Sequence, residues 1–321
     1  VSLDHTPYYH VIARCVRRAW LCGFDHYAAK DYSHRKRWVL QRMQTLATAF
    51  TIDVCAYAIM SNHYHLVLHV DRARARQLSH REVVARWSRL FALPPLLRQW
   101  QQGRLADSER PAVLRLIERW RERLSDISWY MRCLNEYLAR RANVEDACTG
   151  RFWEGRFKSQ ALLDEAGLLT AMAYVELNPV RAGIAPTPEA STFTSFPARL
   201  QHLRRRAASQ PARRVALLPF QERARSAQPC LPTTLRDYLQ LLDWSGRAVR
   251  PGKRGSIEAR VPPILERLRI DPQAWQLTMG RGGTLLGRAL GRLARLREHA
   301  ELLGQCWVKG LTAAARLYQA A

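Results

Sequence analysis

Asn62-His63-Tyr64-His65-Leu66-Val67-Leu68 is the stretch that decides the fold. It follows an apolar run at residues 54–60, and the Ser61-Asn62 pair between them is typical of a tight turn joining two strands. Residues two apart on a strand point to the same side of the sheet. His63 and His65 are therefore expected side by side at the start of the second strand. Such a pair is half of a metal site, although a histidine pair on a strand is often only a half-buried polar face.

The segments around this hairpin predict a mixed fold. Residues 8–20 alternate apolar and polar side chains, which indicates an opening strand whose basic face carries His10, Arg14 and Arg18. Residues 31–50 have the apolar spacing of a helix. A strand, helix, strand, strand order predicts an α+β protein, with an antiparallel sheet and helices on its faces.

The charge balance favours a polyanionic partner. The 321 residues include 51 Lys and Arg against 27 Asp and Glu, a formal net charge of +24 and an isoelectric point near 10.8. No apolar run reaches the ~18 residues that a membrane helix needs, and the first residues lack a signal-peptide pattern. Seven scattered cysteines, never spaced as CxxC, predict reduced thiols. We expect a cytoplasmic, nucleoid-associated protein that binds no membrane.

Residues 71–124 differ in character from the hairpin that precedes them. They are rich in arginine and tryptophan and predict two or three amphipathic helices, at 81–93, 96–105 and 110–124, which we interpret as a helical insertion of about 72–124. The tryptophans suit stacking on bases or packing against the core. A further helix is predicted at 128–143. Its Arg132, Arg140 and Arg141 can face phosphates or form an ordinary solvated basic face.

Two more blocks carry candidate functional residues. The first is Gly150-Arg151-Phe152-Trp153-Glu154-Gly155-Arg156-Phe157-Lys158, which has the composition of a nucleic-acid-contacting loop. A structural turn with buried aromatics is an equally good interpretation of Phe152 and Trp153. The second is a helix beginning at Asp164 and ending near Pro179. Tyr174 and Asn178 are four residues apart on it, so they are expected on one face, where they can complete the site begun by the histidines.

The order of these three blocks resembles the REP-associated tyrosine transposases, which are relatives of the single-tyrosine insertion-sequence transposases among the His-hydrophobic-His endonucleases. The resemblance covers about residues 8–196 and is strongest over 60–68 and 150–183. It departs from the family at Tyr64, where an aliphatic residue is commoner, and in the length of the insertion.

The resemblance implies a ferredoxin-like or RRM-like nuclease core, with Tyr174 as the nucleophile and His63, His65 and Asn178 as ligands of Mg²⁺ or Mn²⁺. The implied substrate is single-stranded or hairpin DNA at a palindromic repeat, cut through a 5′-phosphotyrosine intermediate by a monomer or homodimer. The residues expected to contact DNA are Arg14, Arg151, Trp153, Arg156, Lys158, Arg181, Lys253 and Arg254.

The C-terminal third predicts a separate helical region. We expect a catalytic domain at 1–199, a basic linker at 200–230 and a helical domain at 231–321, which is a candidate DNA-binding module. Its predicted helices are 231–244, 262–270, 273–279 and 284–303, with a basic, turn-rich stretch at 246–256. The alternative function is a non-catalytic hairpin-binding protein derived from a transposase. A replication initiator or relaxase would more often carry a helicase domain or a second tyrosine close to the first, and neither is apparent.

Overall fold

A mostly antiparallel five-stranded sheet organises the molecule in the computed structural model, which describes residues 3–16, 21–25, 29–204, 215–221, 228–249, 261–280 and 287–318. The sheet order is β4-β5-β1-β6-β7, and only the β6–β7 pairing is parallel. β2 and β3 form a small separate ribbon. The strands are β1 (Tyr8–Arg14), β2 (Phe24–Asp25), β3 (Lys30–Asp31), β4 (Ile52–Ile59), β5 (His63–Val70), β6 (Lys158–Leu162) and β7 (Ala289–Leu290).

Fourteen helices surround the sheet within the described residues. They are α1 (Arg35–Ala49), α2 (Arg72–Gln77), α3 (His80–Ser88), α4 (Pro95–Gln101), α5 (Arg110–Arg123), α6 (Ile127–Glu145), α7 (Glu165–Glu176), α8 (Asn178–Arg181), α9 (Phe196–Arg204), α10 (Leu235–Val249), α11 (Pro263–Arg267), α12 (Pro272–Gly280), α13 (Leu293–Leu302) and α14 (Leu311–Leu317). The mixed α+β class is as predicted.

The two faces of β5 pack against different helices. Tyr64, Leu66 and Leu68 are fully buried on one face, where the Tyr64 hydroxyl donates a hydrogen bond to Asn135 of α6. The other face carries His63 and His65 and is covered by α7. Because side chains alternate along a strand, the hairpin sequence alone separates an apolar packing face from a polar one.

The insertion is helical, with α2 and a short 3-10 helix at Asp107–Glu109 in addition to the three predicted helices. α2 lies at its start, and α3 to α5 correspond to the three predicted helices. Ser79 and Glu82 form a capping box that begins α3. Trp87 and Trp120 are buried and stack at 5.0 Å between ring centroids, at the centre of a small core of the insertion's own. These two tryptophans therefore pack rather than face solvent.

The C-terminal region differs most from expectation. The predicted helix 284–303 is wrong over 287–292, where Ala289–Leu290 forms β7, and the helix begins only at Leu293. The reason is that the backbone N–H groups of Ala161 and Leu163, at the edge of β6, take the carbonyls of Arg288 and Leu290 as acceptors. The stretch 246–256, expected to be rich in turns, is helical over its first four residues, because α10 continues to Val249, and its remaining residues lie outside the described ones.

The segment expected to be a linker contacts the sheet. Residues 215–221 lie beside β4, where the Leu218 N–H donates to the carbonyl of Val54 and the Leu218 side chain is buried. The predicted region 231–321 supplies β7 to the sheet of 1–199 and shares its hydrophobic core. The division into three parts remains a prediction.

Candidate active site

His63 and His65 lie next to one another on the face of β5 that α7 covers, with ring centroids 4.9 Å apart. His63 is partly exposed and His65 is buried. The Nδ1 atom of His63 is 2.6 Å from the side-chain oxygen of Asn62, so Nδ1 carries the proton and donates. The Nε2 atom of His63 therefore keeps its lone pair. The turn residue before the strand thus fixes the tautomer of the first histidine.

A hydrogen-bonded chain does the same for His65. The Gln160 side chain donates to the carbonyl of Gly287 at 3.1 Å, so its oxygen faces the Nδ1 atom of His10 at 3.2 Å and accepts from it. His10 Nε2 then lies 2.9 Å from His65 Nδ1 and accepts the proton there. His65 consequently also keeps its lone pair on Nε2.

His10 contacts the candidate site, although the sequence pattern predicts only that it lies on the basic face of β1. Its side chain is almost completely buried and its ring lies nearly parallel to that of His65, with the two centroids 5.1 Å apart. In the register of β1 with β5, His10 pairs with Val67 and Arg14 with His63, so both share the histidine face. The sequence does show that His10 and Arg14 lie on the same side of β1, because an even number of residues separates them. It does not show that this side is shared with the histidines of β5, which depends on the pairing of the two strands.

Tyr174 stands on α7 above this face. Its ring is centred 6.2 Å from the ring of His65 and 6.4 Å from that of His10, in edge-to-face orientation. The guanidinium of Arg181 lies 3.9 Å from the centre of the same ring. Arg181 also donates to the side-chain oxygen of Asn178 at 2.9 Å. Tyr174 thus lies beside His65, and Arg181 links the tyrosine to the side-chain amide of Asn178, which begins α8.

α7 presents Tyr174 because both of its ends are defined locally. The Asp164 carboxylate caps the helix by accepting from the Gly167 N–H at 2.8 Å, as its acidic start predicts. The helix ends at Glu176, and Pro179 lies in the following short helix α8, so the chain turns where the proline was expected to end or kink it. The turn returns Arg181 to Tyr174.

Burial keeps the imidazoles neutral. Desolvation lowers the pKa of His10 from 6.5 to about 4, against a smaller opposing effect of the Gln160 hydrogen bond. Desolvation, followed by the charges of Arg14 and Arg181, lowers the pKa of His63 to about 4. The pKa of His65 is lowered too, chiefly by burial. At neutral pH these rings therefore offer lone pairs that can bind a cation. The charges of Arg14 and Arg181 beside them suit an incoming phosphate.

The donor set fits a divalent cation in part. Two neutral imidazoles with free Nε2 lone pairs are suitable ligands. The oxygen of Asn178 already accepts from Arg181, so it has one lone pair left for an ion. Within the described segments, no three His, Cys, Asp or Glu side chains converge as a metal site. A cation at the histidines would therefore draw its remaining ligands from the amide and from a bound phosphate.

The residues expected to contact DNA divide into four groups. Arg14, Lys158 and Arg181 lie at the histidine face, with Lys158 pairing with Ile12 across β1 and β6. Arg151 and Arg156 are exposed in the loop before β6. Trp153 donates its indole N–H to the carbonyl of Asn135 at 2.8 Å and packs on Tyr64, as in the alternative structural interpretation of this loop. Lys253 and Arg254 lie outside the described residues.

Comparison with known proteins gives one weak match. No protein-family model and no curated protein sequence matches the chain. A solved REP-associated tyrosine transposase bound to a REP hairpin superposes on 69% of this chain and 93% of its own, with 12% sequence identity and a TM-score of 0.36. In the described residues, every helix is too short or too polar to span a membrane.

Proposed function

We propose that this protein is a tyrosine transposase, a single-strand DNA endonuclease and strand transferase that acts at hairpin-forming palindromes. The observation that carries the proposal is the position of Tyr174. Its ring lies against the buried histidines on one side and against the Arg181 guanidinium on another. A hydroxyl-bearing side chain beside a cation and neutral imidazoles is suited to attack on a phosphodiester.

The proposed reaction has the polarity that the family resemblance implies. The Tyr174 hydroxyl loses its proton as its oxygen bonds to the scissile phosphorus, and the bond from phosphorus to O3′ breaks. The products are a 5′-phosphotyrosine and a strand with a free 3′-OH. Because the phosphotyrosine ester conserves the energy of the broken bond, the 3′-OH of another strand can reverse the step and complete strand transfer.

Positive charge around the tyrosine serves the transition state. Arg181 and Arg14 both lie near enough to lower the pKa of His63, so they can pair with the phosphate oxygens as negative charge develops. Arg181 is oriented by Asn178 and by the carbonyl of Met279 at 3.4 Å. Its guanidinium is therefore held in place before substrate arrives.

Mg²⁺ or Mn²⁺ belongs to the proposal as a cofactor. His63 and His65 would hold it through Nε2, with Asn178 as the third protein ligand, and it would supply Lewis-acid stabilisation of the phosphate. The protein's own part is to keep both imidazoles neutral and adjacent, each with its proton on Nδ1 and its lone pair on Nε2.

The test is covalent trapping. Full-length protein is incubated with labelled single-stranded hairpin DNA and Mn²⁺, and a denaturing gel is scored for a protein-linked strand. We expect an adduct that is lost in Tyr174→Phe and on chelation with EDTA, while hairpin binding is retained. Tyr32→Phe, directly after β3, is the matched control and should leave the adduct intact. Tight binding without an adduct on every palindrome tested would instead identify a non-catalytic hairpin-binding protein.

A further inference from the structure

A second candidate binding surface lies on the opposite side of the sheet from Tyr174. It is a groove of about 1000 Å³ between α6 on one side and the insertion helices α3 and α5 on the other. α6 lines it from Trp129 to Val144, a distance of about 22 Å at the rise of an α-helix. The same helix contacts the apolar face of β5 through Asn135, so the sheet separates the groove from the histidines.

The two walls of the groove differ in charge. The α6 wall carries Arg132, Arg140 and Arg141, and its one acidic residue, Glu136, is paired with Arg132 at 3.6 Å and also with Arg140. The side chains of Arg132 and Arg140 are 64% and 78% exposed, so both can still reach a ligand. The facing wall is apolar. A ligand with anionic groups along one edge and flat apolar groups along the other would match both walls.

Aromatic rings supply the apolar wall with a stacking surface. Trp120, Trp87 and Phe91 form a column, with successive centroids 5.0 and 4.7 Å apart and interplanar angles of 8° and 29°. The first two rings are buried, whereas Phe91 at the end of the column is 36% exposed. A planar base placed on Phe91 would extend the column, as bases stack on aromatic side chains in single-strand binding proteins.

We infer that this groove binds single-stranded nucleic acid, with phosphates on the arginines of α6 and bases against Phe91. That the strand is DNA rests on the proposed function. The groove would then hold the part of a strand that lies outside the Tyr174 site. An acidic amphipathic protein helix could meet the same charge pattern, but it has no planar groups to continue a ring stack.

The test measures binding in a protein that cannot cleave. Tyr174→Phe protein is titrated with a fluorescent oligothymidine of about 12 nucleotides, which forms no hairpin, over a range of salt concentrations. Adding Arg132→Gln and Arg140→Gln should reduce the slope of log K against log salt by about 1.4, because each lost phosphate contact to a single strand is worth about 0.7. Phe91→Ala should weaken binding about fivefold or more without changing that slope.

Arg115→Gln with Arg119→Gln is the matched control, since it removes the same charge from exposed positions of α5 outside the groove. This pair should leave the slope unchanged. The inference is overturned if both arginine pairs reduce the slope equally, or if the groove variants bind as tightly as the parent protein. An oligouridine of the same length reports whether the groove prefers DNA to RNA. Adduct formation by protein with an intact Tyr174 is scored separately, so failure of the catalytic proposal leaves this result standing.

Discussion

At the residue scale, the central feature is the hydrogen-bonded chain from Gly287 through Gln160 and His10 to His65. Each link leaves one assignment of donor and acceptor for the next, starting from a backbone carbonyl that can only accept. Under the proposed function, the residues of this chain would position His65 without contacting substrate themselves.

Gln160→Leu tests this positioning role. The substitution removes the acceptor of His10 and the donor to Gly287, so we expect a loss of about 1–3 kcal/mol in the free energy of unfolding. A structural role alone would predict that loss. The positioning role also predicts a changed Nδ1-to-Nε2 tautomer ratio at His65, read from ¹⁵N shifts of the imidazoles, and Mn²⁺ affinity about 10- to 100-fold weaker. Gln101→Leu, on exposed α4, is the control and should change none of these.

The lowered pKa values of the buried imidazoles predict a pH dependence of stability. The pKa of His10 and of His63 is about 4 in the folded protein against 6.5 when unperturbed. Between these values the unfolded chain binds more protons, so the free energy of unfolding falls as the pH falls. The slope approaches about 1.4 kcal/mol per pH unit for each histidine.

Urea unfolding at a series of pH values from about 7 to about 5 measures this slope, in a range above the titration of ordinary carboxyl groups. His80→Gln removes an exposed histidine on α3 and should preserve the slope. Equal stability at both ends of the range would show that the imidazoles are not neutral in the folded protein.

The arrangement of the histidine pair was predictable from local pattern, because the strand period places His63 and His65 side by side. The position of Asn178 was not, because α7 ends at Glu176 and Asn178 begins α8 rather than continuing the helix of Tyr174. The contacts of Arg181 with Tyr174 and of His10 with His65 were not predictable, because each joins residues whose proximity depends on tertiary packing. Arg181 was assigned to DNA contact on its charge, but nothing in its surroundings indicated that it would stack on the tyrosine.

At the element scale, α7 approaches β7 closely because Gly167 has no side chain. A Cβ added to Gly167 would lie 2.5 Å from the carbonyl oxygen of Leu290, which is backbone and has little freedom to move. The Asp164 carboxylate meanwhile accepts from the Arg292 N–H at 2.7 Å. The N-terminal half of α7 is therefore fixed directly against a strand that follows it by more than a hundred residues.

Gly167→Ala should destabilise the protein, although alanine is the better helix former by up to about 1 kcal/mol. Overpacking against backbone typically costs about 1–3 kcal/mol, so we expect a net decrease in the free energy of unfolding in urea. Gly155→Ala, in the exposed loop before β6, places its Cβ no nearer than 3.9 Å to a side-chain atom and should change stability by less than about 0.5 kcal/mol. A stabilised Gly167→Ala protein would contradict the close approach of α7 and β7.

The elements themselves were predictable to different degrees. The β4–β5 hairpin and the long helices α1, α5 and α6 have strong local periodicity, and they lie where the sequence indicates. β7 has only two residues and exists because the edge of β6 has unpaired N–H groups to satisfy. The sequence pattern of 284–303 does not indicate that β6 needs a hydrogen-bonding partner, so the whole stretch resembles one continuous helix.

At the scale of the whole molecule, the C-terminal region is hydrogen-bonded to α7, the helix that carries Tyr174. Glu176 is fully buried, and Tyr238 of α10 donates to its carboxylate at 2.7 Å. Ser195 donates to the same carboxylate, and Arg199 lies 3.8 Å away, while burial raises the pKa of Glu176. Tyr318 makes a second contact with α7, nearer the start of the helix, where its hydroxyl donates to the Thr170 hydroxyl at 3.0 Å.

These two tyrosines give a matched comparison. Tyr238→Phe leaves a buried carboxylate short of a donor, so we expect a loss of about 1.5–3 kcal/mol in the free energy of unfolding and faster amide hydrogen exchange in α7. Tyr318→Phe removes a bond between neutral hydroxyls and should lose only about 0.5–1.5 kcal/mol. If the two variants are equally stable, the Glu176 carboxylate does not receive a charge-assisted bond from α10.

The contact between Gln160 and Gly287 spans 127 residues of chain. During translation, the histidines and the tyrosine leave the ribosome long before the carbonyl that orders them through Gln160 and His10. A nascent chain therefore cannot complete the hydrogen-bonded chain to His65 until residue 287 has been synthesised. The donor and acceptor roles at His65 are in this way set late in synthesis, by a residue far from the histidine in sequence.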